Sequence, residues 1–344
     1  MPKTFYFARA PIRIDFAGGW TDVPPYSAEI GGAVVNAAIN KYTYIAMEQR
    51  TDGRYHLESA DFGMVLDIEN RDGLLYNGEI DVAKAAIKKS DKATGLNVFI
   101  RCDAPPSSGT GSSASICVAL SGLLLKDGDI PIVDAARTIE TEELQIAGGK
   151  QDQYASFYGG FNYLEFKDPH VNRTALSLGR DVICHLEKHL VLCYTGKARV
   201  SGNIISKVMT NFMEGNPKTV KALHNILAAG RETKWALEKG NLDEFATLLS
   251  INWENQKLLD PSISNEKIDK LFQIAMAAGA LGGKALGAGG GGCLIFYACT
   301  NREGAVRQAL IEGGAKVIDF SFDFDGLTLW SYVDTDEQSV KCRV

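Results

Sequence analysis

The stretch best suited to chemistry is residues 104–115, which read Ala-Pro-Pro-Ser-Ser-Gly-Thr-Gly-Ser-Ser-Ala-Ser. Gly109 and Gly111 carry no side chain, so the backbone there can curl closely around a ligand. Ser112 or Ser113 can cap the apolar helix that follows, whose first N–H groups point into the loop. Unpaired amides and the helix dipole both favour phosphate, although the P-loop pattern GxxxxGK(S/T) is absent because no lysine follows Gly111. The stretch therefore predicts a phosphate site, with an ordinary helix-capping turn as the alternative.

A second group of candidate residues lies near the N-terminus, on a predicted strand and the turn after it. The strand covers residues 5–16 and carries Arg13 and Asp15 on one face, and the turn carries Thr21 and Asp22. Paired glycines and paired prolines give this turn an irregular path at the strand end. The polar side chains suit the binding of a polar substrate. For each residue taken singly, a solvated strand face or a turn-forming side chain is the alternative.

A third group accompanies the helix predicted over residues 131–146. Glu140, Glu142 and Glu143 are crowded on it, and one of them could face inward toward a metal instead of lying on the surface. After a glycine break, Asp152 comes at the start of a short predicted helix. This segment can therefore supply a metal ligand.

A glycine-rich run covers residues 281–292, where seven of the twelve residues are glycine. It runs directly into an apolar strand predicted over 293–298. Such a run is useful where the backbone must approach something bulky or charged. We predict a ligand loop here, with a flexible linker as the alternative.

Composition limits the classes of protein to consider. The chain has 344 residues, an apolar fraction of 45%, a charged fraction of 23% and a net charge of -6. These values predict two globular domains with a soft boundary near 170–180, and they argue against a nucleic-acid surface. The seven cysteines form no CxxC pair, and we find neither a signal peptide nor a membrane-spanning run. We expect a cytoplasmic protein without a structural zinc site.

The elements that must position these groups follow from apolar periodicity. A strand over 96–102 leads into the stretch 104–115, which we call the central loop. Further strands are predicted at 33–48, 54–61, 161–166 and 189–195. The second half is mostly helical from 201 to 280. It ends with strands at 315–323 and 326–333, which follow a helix at about 302–313.

Three glycine-bearing motifs, in this order, resemble those of the GHMP kinase family, which includes galactokinase, homoserine kinase, mevalonate kinase and phosphomevalonate kinase. The motifs are Ala10-Pro-Ile-Arg-Ile-Asp-Phe-Ala-Gly-Gly-Trp-Thr-Asp22, Pro105-Pro-Ser-Ser-Gly-Thr-Gly-Ser-Ser-Ala-Ser115 and Lys284-Ala-Leu-Gly-Ala-Gly-Gly-Gly-Gly-Cys293. The resemblance spans nearly the whole chain. It implies an α+β, two-domain GHMP kinase fold with the active site in the interdomain cleft, and domains over 1–175 and 176–344.

The resemblance also implies roles for individual residues. ATP would be bound by the central loop and the third motif, through Pro106, Ser107, Ser108, Gly109, Thr110, Gly111, Ser112, Ser113, Gly289 and Gly290. Mg²⁺ would be held by Ser113 and Glu140. Asp152 would act as the general base, and Arg13 would stabilise the transferred phosphoryl group and keep Asp152 ionised.

The substrate follows from the first motif and two others. Thr21 and Asp22 would bind the sugar, but Gly18-Gly19-Trp20-Thr21-Asp22 lacks the Glu and His of the galactokinase-like Gly-Glu-His-Thr-Asp, which argues against galactose. The motifs 18–26, 148–154 and 194–201 are similar to those of the subgroup that phosphorylates the anomeric hydroxyl of D-glycero-D-manno-heptose 7-phosphate.

Other functions and partners stay open at this point. L-Fucokinase or another sugar 1-kinase is the alternative, and a non-catalytic GHMP-like binding protein is a further one. Lys197 and Arg199, in a small-residue loop after a predicted strand, are candidates for binding the phosphate end of the sugar. The expected partners are ATP and a sugar phosphate, with no nucleic acid and no membrane, and homo-oligomerisation is left open.

Overall fold

The structure is a computed structural model that describes residues 3–90, 94–126, 131–196 and 202–334. Strands in these ranges are β1 (Lys3–Ala17), β2 (Gly32–Gln49), β3 (Tyr55–Ser59), β4 (Met64–Ile68), β5 (Leu96–Cys102), β6 (Phe161–Lys167), β7 (His170–Ala175), β8 (Leu190–Tyr194), β9 (Ala280–Ala285), β10 (Cys293–Ala298), β11 (Lys316–Ile318) and β12 (Thr328–Asp334).

The helices of the described ranges are concentrated in the second half. They are α1 (Tyr26–Glu29), α2 (Asp81–Lys89), α3 (Ser112–Leu124), α4 (Ile132–Thr138), α5 (Gln151–Tyr158), α6 (Arg180–His189), α7 (Gly202–Met213), α8 (Pro217–Glu238), α9 (Leu242–Leu259), α10 (Glu266–Ala278) and α11 (Glu303–Glu312). A π-helical turn, Ile139–Glu143, continues α4.

The first sheet has the strand order β12-β1-β2-β5-β3-β4, and β6 and β7 are attached to β2. The long strand β2 makes this possible because it changes partner along its length. Its first part, Gly32–Ala37, pairs with β6, and its second part, Thr43–Gln49, pairs with β5. Strand β1 shifts register between Pro11 and Ile12, where proline cannot donate a ladder hydrogen bond.

The second sheet has the order β11-β8-β10-β9. Every residue of β10 is buried, which suits its continuous apolar sequence. Helices α8 and α9 pack between this sheet and the first one. At Gly230 of α8, an added Cβ would lie 2.3 Å from the carbonyl oxygen of Ala33 in β2. The absence of a side chain at Gly230 thus lets the helix lie directly on the strand.

One hydrophobic core joins the two sheets. Phe16 of β1 stacks on Phe161 of β6 and contacts Phe245 of α9 edge to face, with ring centroids 5.2 Å apart in the second pair. The same cluster continues to Phe296 of β10. Strand β7 ends at Ala175, but β12 returns to pair with β1. The division into 1–175 and 176–344 therefore stays a prediction.

The predicted α+β class is confirmed, and most predicted elements are present. Strands over 5–16, 33–48, 54–61, 96–102, 161–166, 189–195 and 293–298 correspond to β1, β2, β3, β5, β6, β8 and β10. The predicted helix over 131–146 instead ends as a π-helical turn at Glu143. The glycine-rich run is not one loop, because its first part forms β9. Within the described ranges, no helix is long and apolar enough to cross a membrane.

Candidate active site

A pocket of about 360 Å³ lies between the central loop, the end of β1 and the start of α5. Ile205, Gly287 and Ala288 contribute to its wall from the second half of the chain. Most of the predicted site residues line it: Arg13, Asp22, Pro106, Ser107, Gly109, Gly111, Ser112, Ser113, Glu140 and Asp152. The fold therefore gathers three segments that are far apart in sequence into one concave site.

Arg13 and Asp152 form the most highly organised contact in this pocket. Arg13 donates from Nε to Asp152 Oδ1 at 2.8 Å and from Nη2 to Asp152 Oδ2 at 2.7 Å. Its third nitrogen, Nη1, donates to the carbonyl oxygen of Gly109 at 2.5 Å. Burial lowers the pKa of Arg13, but the charges of Asp152 and Asp15 outweigh this, so that its net pKa is raised. Arg13 thus ties the carboxylate to the central loop in a fixed, bidentate geometry.

Asp22 anchors the short helix that carries Asp152. Its Oδ2 accepts hydrogen bonds from the backbone N–H groups of Lys150 at 2.9 Å and Gln151 at 3.2 Å. These donors lie at the start of α5, where the helix itself provides no acceptor. Burial, and then the charge of Asp152, raise the pKa of Asp22 to about 6. At Gly149, an added Cβ would lie 1.9 Å from Asp22 Oδ2, so the glycine is needed for this close approach.

The central loop presents a helix N-terminus to the pocket. Gly111 has φ +76° and is the N-cap of α3, and no side chain of the described residues caps this end. The prediction that Ser112 or Ser113 caps the helix is therefore wrong, because both serines lie within its first turn. The first amides of α3 are left without a side-chain acceptor. Together with the left-handed Gly109 and Gly111, they form a cradle that suits an anion.

Ser113 and Glu140 lie side by side in the pocket. Ser113 Oγ donates to Glu140 Oε1 at 2.5 Å, and Gln153 Nε2 donates to Glu140 Oε2 at 2.5 Å. Burial raises the pKa of Glu140 to about 7, although the hydrogen bond from Ser113 lowers it. Of the three crowded glutamates, Glu140 faces inward, whereas Glu142 is exposed and Glu143 contacts Tyr76 and Lys89.

Some predicted site residues do not line the pocket. Thr21 donates from Oγ1 to the carbonyl oxygen of Gly18 at 2.7 Å and accepts from the N–H of Ala33 at 3.1 Å. It therefore shapes the turn, and this geometry gives no support to a contact with the sugar. Ser108 and Thr110 are buried, and their hydroxyls bond to each other at 2.6 Å. Lys197 and Arg199 lie outside the described residues.

The third motif contacts the central loop beyond Gly289 and Gly290, whose predicted role in ATP binding stays a prediction. Gly289 and Gly290 pack against residues 261–263, where Gly290 N–H donates to the carbonyl oxygen of Ile263 at 2.6 Å. The contact with the central loop comes later, because the N–H of Cys293 donates to the carbonyl oxygen of Ser108 at 2.7 Å. An added Cβ at Gly292 would lie 2.4 Å from the same oxygen. The absence of a side chain at Gly292 therefore lets the second half of the chain contact the central loop closely.

Comparison with known proteins identifies the family. The model described as GHMP kinases N terminal domain matches residues 79–160, and the one described as GHMP kinases C terminal matches residues 233–316. The crystal structure of a D-glycero-D-manno-heptose 1-phosphate kinase from Bacteroides thetaiotaomicron is 30% identical, with a TM-score of 0.77 over 94% of this chain and 98% of that one. The chain belongs to the GHMP kinase family.

Two curated relatives of this GHMP kinase are also informative. D-glycero-alpha-D-manno-heptose 7-phosphate kinase of Campylobacter jejuni is 29% identical over 94% of this chain and 98% of its own length. The bifunctional fucokinase/GDP-fucose pyrophosphorylase of Arabidopsis thaliana is 28% identical, but the match covers 88% of this chain and only 31% of that protein. The GHMP kinase is thus a phosphotransferase with an alcohol group as acceptor and ATP as donor, which leaves the non-catalytic alternative without support.

The residues present in this GHMP kinase fit the groups that the family uses. The uncapped amides of α3 and the left-handed Gly111 suit the phosphates of ATP. Ser113 and Glu140 offer neighbouring hard oxygen donors of the kind that Mg²⁺ prefers. In the described ranges, no cluster of three or more His, Cys, Asp or Glu side chains could hold a metal ion. Such a pair suits Mg²⁺ that is shared with substrate phosphates.

The sequence analysis assigned no role of their own to two buried residues in or behind the pocket, Asp15 and Lys284. Asp15 lines the pocket with 1% exposure, so the solvated strand face considered for Arg13 and Asp15 is wrong. Its partner is Lys284 of β9, which is fully buried. The available signal was the presence of Lys284 at the head of the third motif, where a lysine precedes an otherwise glycine-rich run.

Proposed function

We propose that this GHMP kinase uses ATP and Mg²⁺ to phosphorylate the anomeric hydroxyl of D-glycero-D-manno-heptose 7-phosphate, giving the 1,7-bisphosphate. The observation that carries the proposal is the bidentate Arg13–Asp152 pair, which faces the uncapped N-terminus of α3 in one pocket. The heptose phosphate kinases of Bacteroides and Campylobacter, similar over nearly their whole length, support the choice of sugar.

In this proposal the nucleotide lies along the central loop. The amides around Gly109 and Gly111–Ser113 hold the β- and γ-phosphates. A second pocket, of about 460 Å³, adjoins the first and shares Phe62, Val82, Ile116 and Ile146 with it. Its largely apolar wall suits a flat heterocycle, so we assign it to the adenine base. A Val82→Asp substitution should then weaken ATP binding and leave sugar binding unchanged.

The metal proposal rests on Ser113 and Glu140. These two residues would hold Mg²⁺, which when bound neutralises the negative charge that develops on the transferred phosphoryl group. Gln153 holds Glu140 in place through the second carboxylate oxygen. Its role is to fix the orientation of the ligand rather than to bind the metal.

Asp152, Arg13 and Asp22 carry out proton transfer, stabilisation of the phosphoryl group and sugar binding in this proposal. Asp152 accepts the proton of the attacking hydroxyl, because its side chain is 23% exposed and reachable from the pocket. Arg13 holds that carboxylate in position and stabilises the transferred phosphoryl group. Asp22 uses Oδ2 for the start of α5, which leaves Oδ1 to accept a hydrogen bond from the sugar.

The phosphate of the sugar needs basic groups outside the ATP cradle, and we assign this role to Lys197 and Arg199. The assignment comes from the sequence alone. Arg199→Ala should raise KM for the phosphorylated sugar and change kcat little, which is the signature of lost uniform binding. The matched control is the same sugar without its phosphate, for which KM should not change. An equal rise for both sugars would contradict the assignment.

L-Fucose kinase activity is the second candidate, because two fucokinase-containing proteins match this chain at 28% and 27% identity. A turnover screen with ATP and Mg²⁺ separates the candidates. We expect phosphorylation of heptose 7-phosphate, no turnover of heptose 1-phosphate, and little turnover of L-fucose. Including the 1-phosphate matters because the two heptose kinases are named for different positions of the phosphate. Efficient turnover of L-fucose with none of heptose 7-phosphate would overturn the proposal.

We also infer a cytoplasmic location. The seven cysteines are odd in number, widely spread and form no CxxC pair, which suits a reducing compartment. Fractionation of the native host, with the protein followed by antibody, tests this inference.

A further inference from the structure

A buried ion pair joins the two halves of the protein behind the pocket. Lys284 Nζ of β9 donates to Asp15 Oδ2 of β1 at 2.8 Å and to the backbone carbonyl oxygen of Asp15 at 3.1 Å. Lys284 has 0% exposure and does not line the pocket, whereas Asp15 lines it. Burial lowers the pKa of Lys284, although the charge of Asp15 opposes this.

The second carboxylate oxygen of Asp15 has no role in this pair. Asp15 Oδ1 is buried and has no hydrogen-bond partner among the described residues. Buried polar atoms almost always have a partner, because leaving one unpaired costs the desolvation of the group. Because this carboxylate lines the pocket, its unpaired oxygen is suited to accept a hydrogen bond from a bound ligand.

Gly19 explains how this carboxylate fits into the pocket wall. An added Cβ at Gly19 would lie 2.3 Å from Asp15 Oδ2 and 3.2 Å from Gln151 Nε2. A side chain at position 19 and the observed position of Asp15 therefore exclude each other. Position 19 is where the galactokinase-like motif has a glutamate. The site thus receives a carboxylate from the strand, at Asp15, in addition to Asp22 of the turn.

We propose that Asp15 is a specificity-determining residue whose Oδ1 accepts a hydrogen bond from a hydroxyl of the sugar held against Asp152. The assignment rests on the proposed sugar kinase activity. Asp15, Asp22 and Asp152 together repel a phosphate group, so the sugar presents neutral hydroxyls to them and its own phosphate points away. Lys284 positions Asp15 from behind by occupying Oδ2.

The experiment compares wild type with the double variant Asp15→Leu/Lys284→Met. Asp15→Leu alone leaves the buried ammonium group of Lys284 without its partner, and such a variant can fail to fold. Replacing both partners with apolar side chains of similar size removes the whole pair, which is often tolerated. The single variant Lys284→Met keeps the carboxylate and controls for loss of the ion pair; because it leaves a buried carboxylate unpaired, it is compared only when its melting temperature shows that it is folded. Melting temperature and calorimetric ATP affinity establish that the variants are folded.

We expect the double variant to bind ATP within about twofold of wild type, while its KM for the sugar rises about tenfold or more. A set of monodeoxy sugars supplies a readout that a structural role does not affect. One analogue should lose about tenfold in kcat/KM with wild type and nothing with the double variant, because the hydroxyl and the carboxylate act as a pair. An unchanged sugar KM, or equal losses in both proteins for every analogue, would overturn the proposal.

Failure of the proposal for Asp15 can be distinguished from failure of the proposed function. Wild-type turnover of the heptose phosphate is measured first, and its absence counts against that substrate. The comparison of wild type with the double variant then uses whichever sugar the wild type phosphorylates, so the role of Asp15 is tested in either case.

Discussion

Gly111→Ala perturbs the contact between the central loop and Asp152, the proposed general base. Gly111 has φ +76°, and an added Cβ would lie 3.1 Å from Asp152 Oδ2 and 3.2 Å from its Cγ. Ordinary contacts between such atoms are about 3.5 Å or longer. Asp152 is held by Arg13, which is itself bonded to Gly109, so the carboxylate cannot move without displacing one of these partners.

The structure gives separate magnitudes for stability and for turnover. The left-handed backbone alone costs a non-glycine residue about 1 kcal/mol. To relieve the close contact, the central loop and the Asp152 carboxylate must move apart by roughly 0.3–0.5 Å. Since a misplacement of about 1 Å can cost 10²-fold in rate, we expect kcat/KM to fall about tenfold.

Gly314→Ala is the matched control for this variant. Gly314 has φ +81°, and an added Cβ there would meet nothing within 4 Å. It follows α11 on an exposed turn, so the substitution introduces the same backbone strain without the contact. Steady-state kinetics and urea unfolding should show a similar stability loss in both variants, with a loss of activity in Gly111→Ala alone. Equal activities would refute the reasoning.

Three further changes test the roles of the pocket carboxylates. Asp152→Asn should lower kcat about 10²-fold or more with substrate binding nearly unchanged, and an unchanged kcat would exclude a general base. Glu140→Gln should raise the Mg²⁺ concentration for half-maximal activity about tenfold, whereas the exposed Glu142→Gln should not; equal shifts would remove the metal role. For Asp22, whose folded pKa of about 6 lies above its ordinary value of 3.8, the folded state binds the proton more tightly. As the pH rises from 4 to 6, the free energy of unfolding of wild type should therefore fall by roughly 2 kcal/mol relative to that of Asp22→Asn. Urea unfolding at each pH measures this difference, and parallel pH profiles would contradict it.

The fold was largely predictable from local pattern, and the exceptions have physical causes. Alternating apolar residues identified β5, and the mostly helical segment predicted over 201–280 contains α7 to α10. The glycine-rich run was misassigned because β9 contains Gly282 and Gly283, which local propensity disfavours in a strand. Gly282 is needed there because an added Cβ would lie 1.9 Å from the carbonyl oxygen of Ala246 in α9. Only the tertiary structure reveals that requirement.

Several residues that line the pocket were predictable from the family motifs, whereas some contacts between distant segments were not. The spacing of Arg13 and Asp22 and the position of Asp152 all pointed to residues that line the pocket. The pairing of Asp15 with Lys284 joins positions 269 residues apart, and no local pattern encodes it. Asp22 illustrates the same limit, because its contact with the start of α5 depends on the absence of a side chain at Gly149.

The charges around the pocket determine in what form ATP can enter it. Among the described lining residues, Asp15, Asp22, Asp61, Glu140 and Asp152 are acidic and Arg13 alone is basic. Arg13 is already engaged by Asp152, and the sequence has no lysine after Gly111 to meet the phosphates. Attraction for a polyanion must therefore come mainly from backbone amides, the α3 dipole and a bound cation, and Arg13 contributes only at the transferred phosphoryl group.

It follows that ATP should bind as its magnesium complex. Calorimetry in EDTA should show affinity for ATP at least about tenfold weaker than in excess Mg²⁺, because each uncompensated contact between like charges costs on the order of 1 kcal/mol even in high dielectric. Adenosine, which carries no phosphate, is the control and should bind equally well under both conditions. Equal ATP affinity with and without Mg²⁺ would mean that the amide cradle alone overcomes the acidic lining, and the assignment of Ser113 and Glu140 would lose its electrostatic basis.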